Sequence, residues 1–287
     1  MKYAKCTKEI VDRAIQLITV KGYTQKEAAN ELNVYYRTLL NNINTYYGKI
    51  GGYKGKKNVN SKYFNVIDTE HKAYWLGFLT ADGYLSSRGT LELTLSEKDA
   101  NHVSLFKKDL DSEHTISIRE CNINGNKFKQ CRLAFTDQEI ASDLRRYGIN
   151  NNKTFNAYIP FEHIPKHLIR HYIRGLFDGD GSVFNNGKDR INVLIACTAS
   201  IAMGNDLIDC LFENDISSTY SIDKRTKNNV YSIHVNKTRE IQRLYKWMYN
   251  DSTIYLERKY NRFAVSGQIA WRPEKISAEL SGEAVKL

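Results

Sequence analysis

The chain has 287 residues, 41% of them hydrophobic and only 3 proline, with a net charge of +10. This balance suits one large globular domain or two smaller ones. No apolar run approaches a membrane span, and the N-terminus lacks a signal-peptide core. Cys6, Cys121, Cys131, Cys197 and Cys210 are dispersed without CxxC spacing. That pattern argues against a disulfide framework or a zinc site and for a reducing compartment. The expected location is the cytoplasm, with a bacterial or phage-encoded origin.

The charge is uneven. Residues 1–62 hold twelve Lys and Arg against four acids, Glu9, Asp12, Glu27 and Glu31. A local basic excess favours a polyanionic partner. In the same stretch Ile10, Val11, Ala14, Ile15, Leu17 and Ile18 recur at helical spacing, and Gly22-Tyr23 ends the run. Thr24, with Glu27 three positions on, makes a capping box for a second helix bearing Ala28, Ala29 and Leu32. Asn33 tolerates the left-handed turn that follows. Val34 begins the next element, with Leu39, Leu40 and Ile43 as its buried side.

Helix, tight turn and helix form a helix-turn-helix module over residues 1–47, with 35–46 as the recognition helix. Its DNA-facing candidates are Tyr35, Tyr36, Arg37 and Asn41. A three-helix module without a DNA role has the same pattern, and the charge favours the DNA-binding form. Residues 48–62 are rich in glycine and lysine and contain no acid. They suit a solvated linker, whose lysines (Lys54, Lys56 and Lys57 among them) can also follow a phosphate backbone or minor groove.

Beyond the linker, the predicted order is a helix near 70–82, a short strand near 84–87, and a strand in which Leu91, Leu93 and Leu95 alternate with polar residues. A helix over 99–111, strands near 114–119 and 127–136, and a helix through Ile140 and Leu144 to Gly148 follow. The order then repeats: helix 166–180, strands at 182–184 and through Ile191, Val193 and Ile195, helix 201–213, strands 217–225 and 229–235, and helix 237–249. The expected fold class is α+β: two pseudo-symmetric αββαββα halves, residues 63–160 and 161–263, behind a small all-α domain. A tail, 264–287, contains Trp271-Arg272-Pro273 and no readable motif.

The helix that opens each half ends in the same way. Trp75-Leu76-Gly77-Phe78-Leu79-Thr80-Ala81-Asp82-Gly83 and Ile173-Arg174-Gly175-Leu176-Phe177-Asp178-Gly179-Asp180-Gly181 match in the placement of glycine, apolar residues, small residue, aspartate and closing glycine. Small residues let helix backbones approach closely, and the aspartate then emerges where the chain turns. This duplicated segment resembles the LAGLIDADG motif of homing endonucleases. The second copy is close to the family pattern. The first departs at Thr80, often Asp in the family, but keeps Gly77, Asp82 and Gly83. The two aspartates lie 98 residues apart, the spacing of the family's single-chain, two-motif members.

The resemblance implies the αββαββα fold over roughly residues 70–263 and metal-dependent phosphodiester hydrolysis at Asp82 and Asp180. The carbonyls of Ala81 and Gly179 would add ligands. Mg²⁺ typically binds through one or two carboxylates with phosphate oxygens and waters, and Mn²⁺ is expected to substitute. A carboxylate at a helix C-terminus opposes the macrodipole, and a bound cation would compensate. The family also places a lysine after the last helix of each half, here Lys153 and Lys259, to polarise water or stabilise phosphate charge. A third position, after the hairpin, falls at Glu97 in one half and Ala199 in the other, which predicts unequal cutting of the two strands.

The polar strand face would read duplex DNA. Alternation assigns it Glu92, Thr94, Ser96, Ser117, Arg119, Gln130, Arg132, Arg190, Asn192, Asp223, Arg225, Ser232 and His234. A solvated sheet face has the same alternation. Together these features predict a monomeric, site-specific double-strand DNA endonuclease of the homing type, associated with intron mobility. It would cut a long site to leave short 3′ overhangs, with no membrane or small-molecule partner. The chain opens with Met1 and ends Val285-Lys286-Leu287, without the Cys or Ser start and His-Asn finish of protein splicing, so an intein origin is not expected. Two alternatives share the scaffold: a non-catalytic DNA-binding transcriptional regulator, and an RNA maturase for intron splicing.

Overall fold

The computed structural model describes residues 3–47, 57–123, 125–151, 153–185, 191–224 and 229–264. The chain divides into two units, Met1–Asn58 and Val59–Leu287.

The first unit contains α1 (Lys8–Thr19), α2 (Gln25–Glu31) and α3 (Tyr36–Tyr47). Thr24 and Glu27 cap α2 reciprocally: the Thr24 amide donates to Glu27 Oε2 at 2.7 Å, and the Glu27 amide to Thr24 Oγ1 at 3.2 Å. Asn33 makes the turn with φ +51°. Val11, Ala14, Leu17, Ile18, Ala28, Ala29, Val34, Leu39 and Ile43 form the core. Leu40 differs from the expected pattern and is only partly buried, because it lies to one side of the Leu39–Ile43 stripe.

The expected linker is shorter at its far end than the composition suggested. Val59 packs against the core of the second unit, and the Asn60 amide donates to the Leu110 carbonyl at 2.9 Å.

In the second unit the first half runs α4 (Glu70–Asp82), β1 (Gly83–Leu85), β2 (Thr90–Ser96), α5 (Ala100–Asp109), β3 (Ser117–Ile123), β4 (Asn126–Thr136) and α6 (Gln138–Arg146). A short helix, α7 (Lys153–Asn156), follows. The second half repeats the order in α8 (Ile169–Asp180), β5 (Ser182–Asn185), β6 (Ile191–Thr198), α9 (Ile201–Glu213), β7 (Thr219–Asp223), β8 (Val230–Val235) and α10 (Thr238–Tyr249). The helix α11 (Glu257–Ala264) closes it.

Each half builds one four-stranded antiparallel sheet, ordered β1-β2-β4-β3 and β5-β6-β8-β7. Leu91, Leu93 and Leu95 face inward as their alternation predicts. On β6 a register shift between Leu194 and Ala196 buries Ile195 and Ala196 together. Strand β3 begins at Ser117 and not near 114. The Ser112 hydroxyl accepts the His114 amide at 3.2 Å and holds that segment in a turn.

Residues Ala73 to Leu79 of α4 are buried without interruption, as are His171 to Asp178 of α8. A helix buried all round belongs at the centre of its domain. Among the described residues, no helix is long and apolar enough to cross a membrane.

Candidate active site

The two central helices touch through backbone. A Cβ added to Gly77 would lie 2.0 Å from the Tyr172 carbonyl oxygen, and one added to Gly175 would lie 1.9 Å from that of Tyr74. Each helix thus presses its glycine onto the same carbonyl of the other, which places a pseudo-twofold axis between them. Further along, a Cβ on Gly179 would lie 2.3 Å from Ala81 Cβ and 3.6 Å from Asp82 Cγ. The close approach therefore continues to the helix ends and sets the Asp82 side chain beside Gly179.

Asp82 and Asp180 are the last residues of α4 and α8, and both are exposed after an almost wholly buried helix. The closing glycine amides fold back onto the helix. That of Gly83 donates to the Leu79 carbonyl, and that of Gly181 to the Phe177 carbonyl at 2.7 Å. A cavity of about 120 Å³ beside Asp180 is lined also by Thr80, Ala81, Cys197, Thr198 and Ala199. Ala199, the third position of the second half, therefore borders the Asp180 site without offering it a polar group.

Lys259 sits in the first turn of α11 and is only 4% exposed. Its Nζ donates to the carbonyls of Phe177 at 2.8 Å and Gly179 at 2.9 Å. The cation that compensates the acidic end of α8 is therefore supplied by this chain, where the sequence suggested a bound ion alone. Burial pushes the Lys259 amine down to about 8 against the pull of Asp178, Asp82 and Asp180. The Gly179 carbonyl, expected to face a metal, already accepts this ammonium and keeps one lone pair.

Beneath Lys259 lies Asp178, which the sequence reading did not single out as a functional residue. Its carboxylate accepts the Leu256 amide at 2.7 Å and the Tyr74 hydroxyl at 2.8 Å, both on Oδ2. Burial pushes the acid up to about 6. An ionised carboxylate only accepts, so the Tyr74 hydroxyl donates its hydrogen bond to Asp178, and His102 Nε2–H then donates to the Tyr74 oxygen at 2.8 Å. His102 is neutral, since burial holds its imidazole down at about 4. At the other end of the helix pair, Arg174 is fully buried. It donates to the carbonyls of Ile254 and Met248, to His171 Nδ1 and to Glu70 Oε1. These bonds strap the segment that leads into α11 against α4.

The other expected residues are more scattered. Glu97 starts a short 3₁₀ turn after β2, exposed, with its carboxylate 3.9 Å from Lys129 Nζ. Lys153 opens α7, where only its backbone is described. Tyr35, Tyr36, Arg37 and Asn41 are all exposed on or beside α3, and Lys57 is exposed. Lys54, Lys56, Arg190 and Arg225 lie outside the described residues.

On the first sheet, Thr94, Arg132 and Ser117 form one cross-strand row, and Ser96, Gln130 and Arg119 the next. Arg132 is engaged by Glu92, which also accepts from Thr94. On the second sheet, Thr219 pairs with His234, and Ser221 with Ser232. Asn192 pairs with Phe184, as Glu92 pairs with Tyr84. Exposed Tyr84 and Phe184 therefore join this face on strands too short to show alternation.

The donor set suits a hard divalent cation: two exposed carboxylates at abutting helix ends, with carbonyl oxygens beside them. Among the described residues, no three His, Cys, Asp or Glu side chains converge on a metal-sized point. Few protein ligands and several waters are what Mg²⁺ takes.

Residues 167–247 match the model of the LAGLIDADG-like domain. The second half is thus similar to a LAGLIDADG-like domain. The homing endonuclease I-WcaI, solved bound to its DNA recognition sequence, is similar with a TM-score of 0.53 and 12% identity, over 69% of this chain and 90% of that one. That coverage exceeds what one half can supply, so the LAGLIDADG fold extends over both. The N-terminal LAGLIDADG domain of DUF199/WhiA matches with a TM-score of 0.43 and 16% identity, over 68% of this chain and 90% of that one. I-DmoI in complex with DNA and Mn matches with a TM-score of 0.42 and 14% identity, over 68% and 100%. No curated protein matches the chain in sequence.

Proposed function

We propose that this chain is a site-specific, metal-dependent double-strand DNA endonuclease of the homing type, acting as a monomer because one chain holds both motifs. The observation that carries this is the meeting of α4 and α8, which delivers exposed Asp82 and Asp180 together at the end of one buried helix pair. I-WcaI, which shares the fold, is a homing endonuclease bound to its DNA recognition sequence, and that supports duplex DNA as the partner.

Asp82 and Asp180, with the Ala81 and Gly179 carbonyls, would hold Mg²⁺ or Mn²⁺. When bound, such an ion lowers the pKa of water and offsets charge on phosphate oxygens. Lys259 holds the end of α8 in place and adds positive charge where a phosphate would arrive. The polar sheet faces, with Thr94, Arg119, Gln130, Asn192 and His234, contact base edges and backbone over a long site. The helix-turn-helix unit, through Tyr35, Tyr36, Arg37 and Asn41, lengthens the footprint. Cleavage leaves short 3′ overhangs.

The test is selection of cut sequences from a randomised duplex library, with and without Mg²⁺, using wild type and Asp180→Asn. Cuts at one long site that need both metal and Asp180 support the nuclease. Tight sequence-specific binding with no cut in either metal replaces it with the DNA-binding regulator.

A further inference from the structure

We propose that Asp178 is a positioning residue for Lys259, and that it makes the two cleavage sites unequal. This rests on the nuclease function above. Asp178 and Thr80 occupy equivalent places in the two motifs, 98 residues apart. Each accepts the hydroxyl of the facing tyrosine, Tyr74 on Asp178 and Tyr172 on Thr80.

Their remaining bonds differ. The Thr80 hydroxyl donates to the Leu76 carbonyl at 2.9 Å, so both of its bonds stay within the helix pair. The Asp178 carboxylate reaches out of the pair and takes the Leu256 amide, immediately before α11. Lys259 lies three residues on, close to one helical turn, and lands on the Phe177 and Gly179 carbonyls. The carboxylate fixes the start of α11, and α11 fixes the lysine. A charge-assisted bond to a buried amide is strong enough to hold such a register.

The second half's site is thus built with its lysine in place, and the strand it serves is cut first. The first half carries threonine at this position, and among the described residues no such anchor leaves its motif helix there.

Two measurements on the full chain test this, using Asp178→Thr, which installs the residue the first motif carries, and Asp178→Asn, which keeps an acceptor for the Leu256 amide. The first is acetylation of metal-free protein by an amine-reactive ester, read at Lys259 by peptide mass spectrometry against exposed Lys98. Asp178→Thr is expected to raise Lys259 labelling about tenfold, the worth of one charge-assisted hydrogen bond, and Asp178→Asn, which keeps the acceptor without its charge, to fall between Asp178→Thr and wild type. The second is strand-resolved nicking of the cleaved site. Asp178→Thr is expected to slow one strand roughly tenfold and leave the other unchanged, with Asp178→Asn restoring part of the ratio.

Unchanged Lys259 labelling in Asp178→Thr overturns the positioning role. Equal slowing of both strands overturns the asymmetry. A wild type that labels as expected but cuts neither strand leaves the positioning standing and removes the nuclease.

Discussion

Tyr74 and Tyr172 make the same hydrogen bond in opposite directions across the central helix pair. Tyr74 donates to Asp178 Oδ2 at 2.8 Å, and Tyr172 to Thr80 Oγ1 at 3.1 Å. The geometry is symmetric and the chemistry is not, because one acceptor is a buried carboxylate and the other a hydroxyl. Removing a donor from a buried charged acceptor costs more than removing one from a neutral acceptor. Tyr74→Phe is therefore expected to destabilise by about 2–3 kcal/mol and Tyr172→Phe by about 1 kcal/mol. Urea unfolding of the two variants checks the order, and equal losses would contradict it.

The glycine contacts predict a sign change between glycines. A methyl on Gly77 or Gly175 meets a backbone carbonyl at 2.0 or 1.9 Å, and backbone cannot step aside as a side chain can. Gly77→Ala and Gly175→Ala are expected to lose more than about 3 kcal/mol, since the helices must separate. Gly204 on α9 has its nearest neighbour at 3.8 Å, an ordinary contact. Gly204→Ala is expected to gain roughly 0.5–1 kcal/mol from helix propensity. Thermal unfolding of all three distinguishes a packing requirement from a general preference for glycine.

Most of the fold was legible because its signals are periodic. The leucines of β2, the capping box at Thr24 and the two motif helices each follow one spacing rule, and the structure follows them. Helix α11 was missed because its buried stripe is Leu256, Lys259 and Phe263, and a lysine in the middle of a stripe hides the apolar period. The metal-ligand candidates were legible as the aspartates before the closing glycines. Asp178 was visible as a motif residue, but its role depends on Leu256, 78 residues away, and no local pattern encodes that pairing. The bulge that buries Ile195 beside Ala196 likewise answers to the partner strand and not to its own sequence.

His102 gives the fold an acid limit. Tyr74, Asp109 and Arg258 face it, and burial dominates, holding the imidazole near 4 against an ordinary value of 6.5. The unfolded chain takes up this proton first as pH falls, so the stability from neutral His102 is full above 6.5 and is lost on the way down to about 4. Over that window the loss is about 3 kcal/mol. Asp178, raised to about 6, works in the opposite direction, so the informative quantity is the difference between wild type and His102→Gln. That difference is expected to shrink by about 3 kcal/mol from pH 7 to pH 4. A difference independent of pH would place the cost elsewhere.

Arg37 is exposed on α3 beside Tyr36, within the unit that holds most of the chain's net positive charge. Arg37→Ala is expected to weaken binding to the selected DNA site roughly tenfold at fixed salt, as the loss of one arginine contact does. Cleavage at saturating protein is expected to keep its rate, because the proposed metal ligands lie on α4 and α8. Unchanged binding in a salt titration would remove the helix-turn-helix unit from the footprint.

The most direct test of the account is to compare DNA binding and DNA cutting in wild type and the double variant Asp82→Asn/Asp180→Asn on one radiolabelled duplex carrying the selected site, in Mg²⁺. The account predicts equal binding, with double-strand cleavage in wild type and none in the variant. Cleavage that survives both substitutions, or a wild type that binds the site and never cuts it, would contradict it.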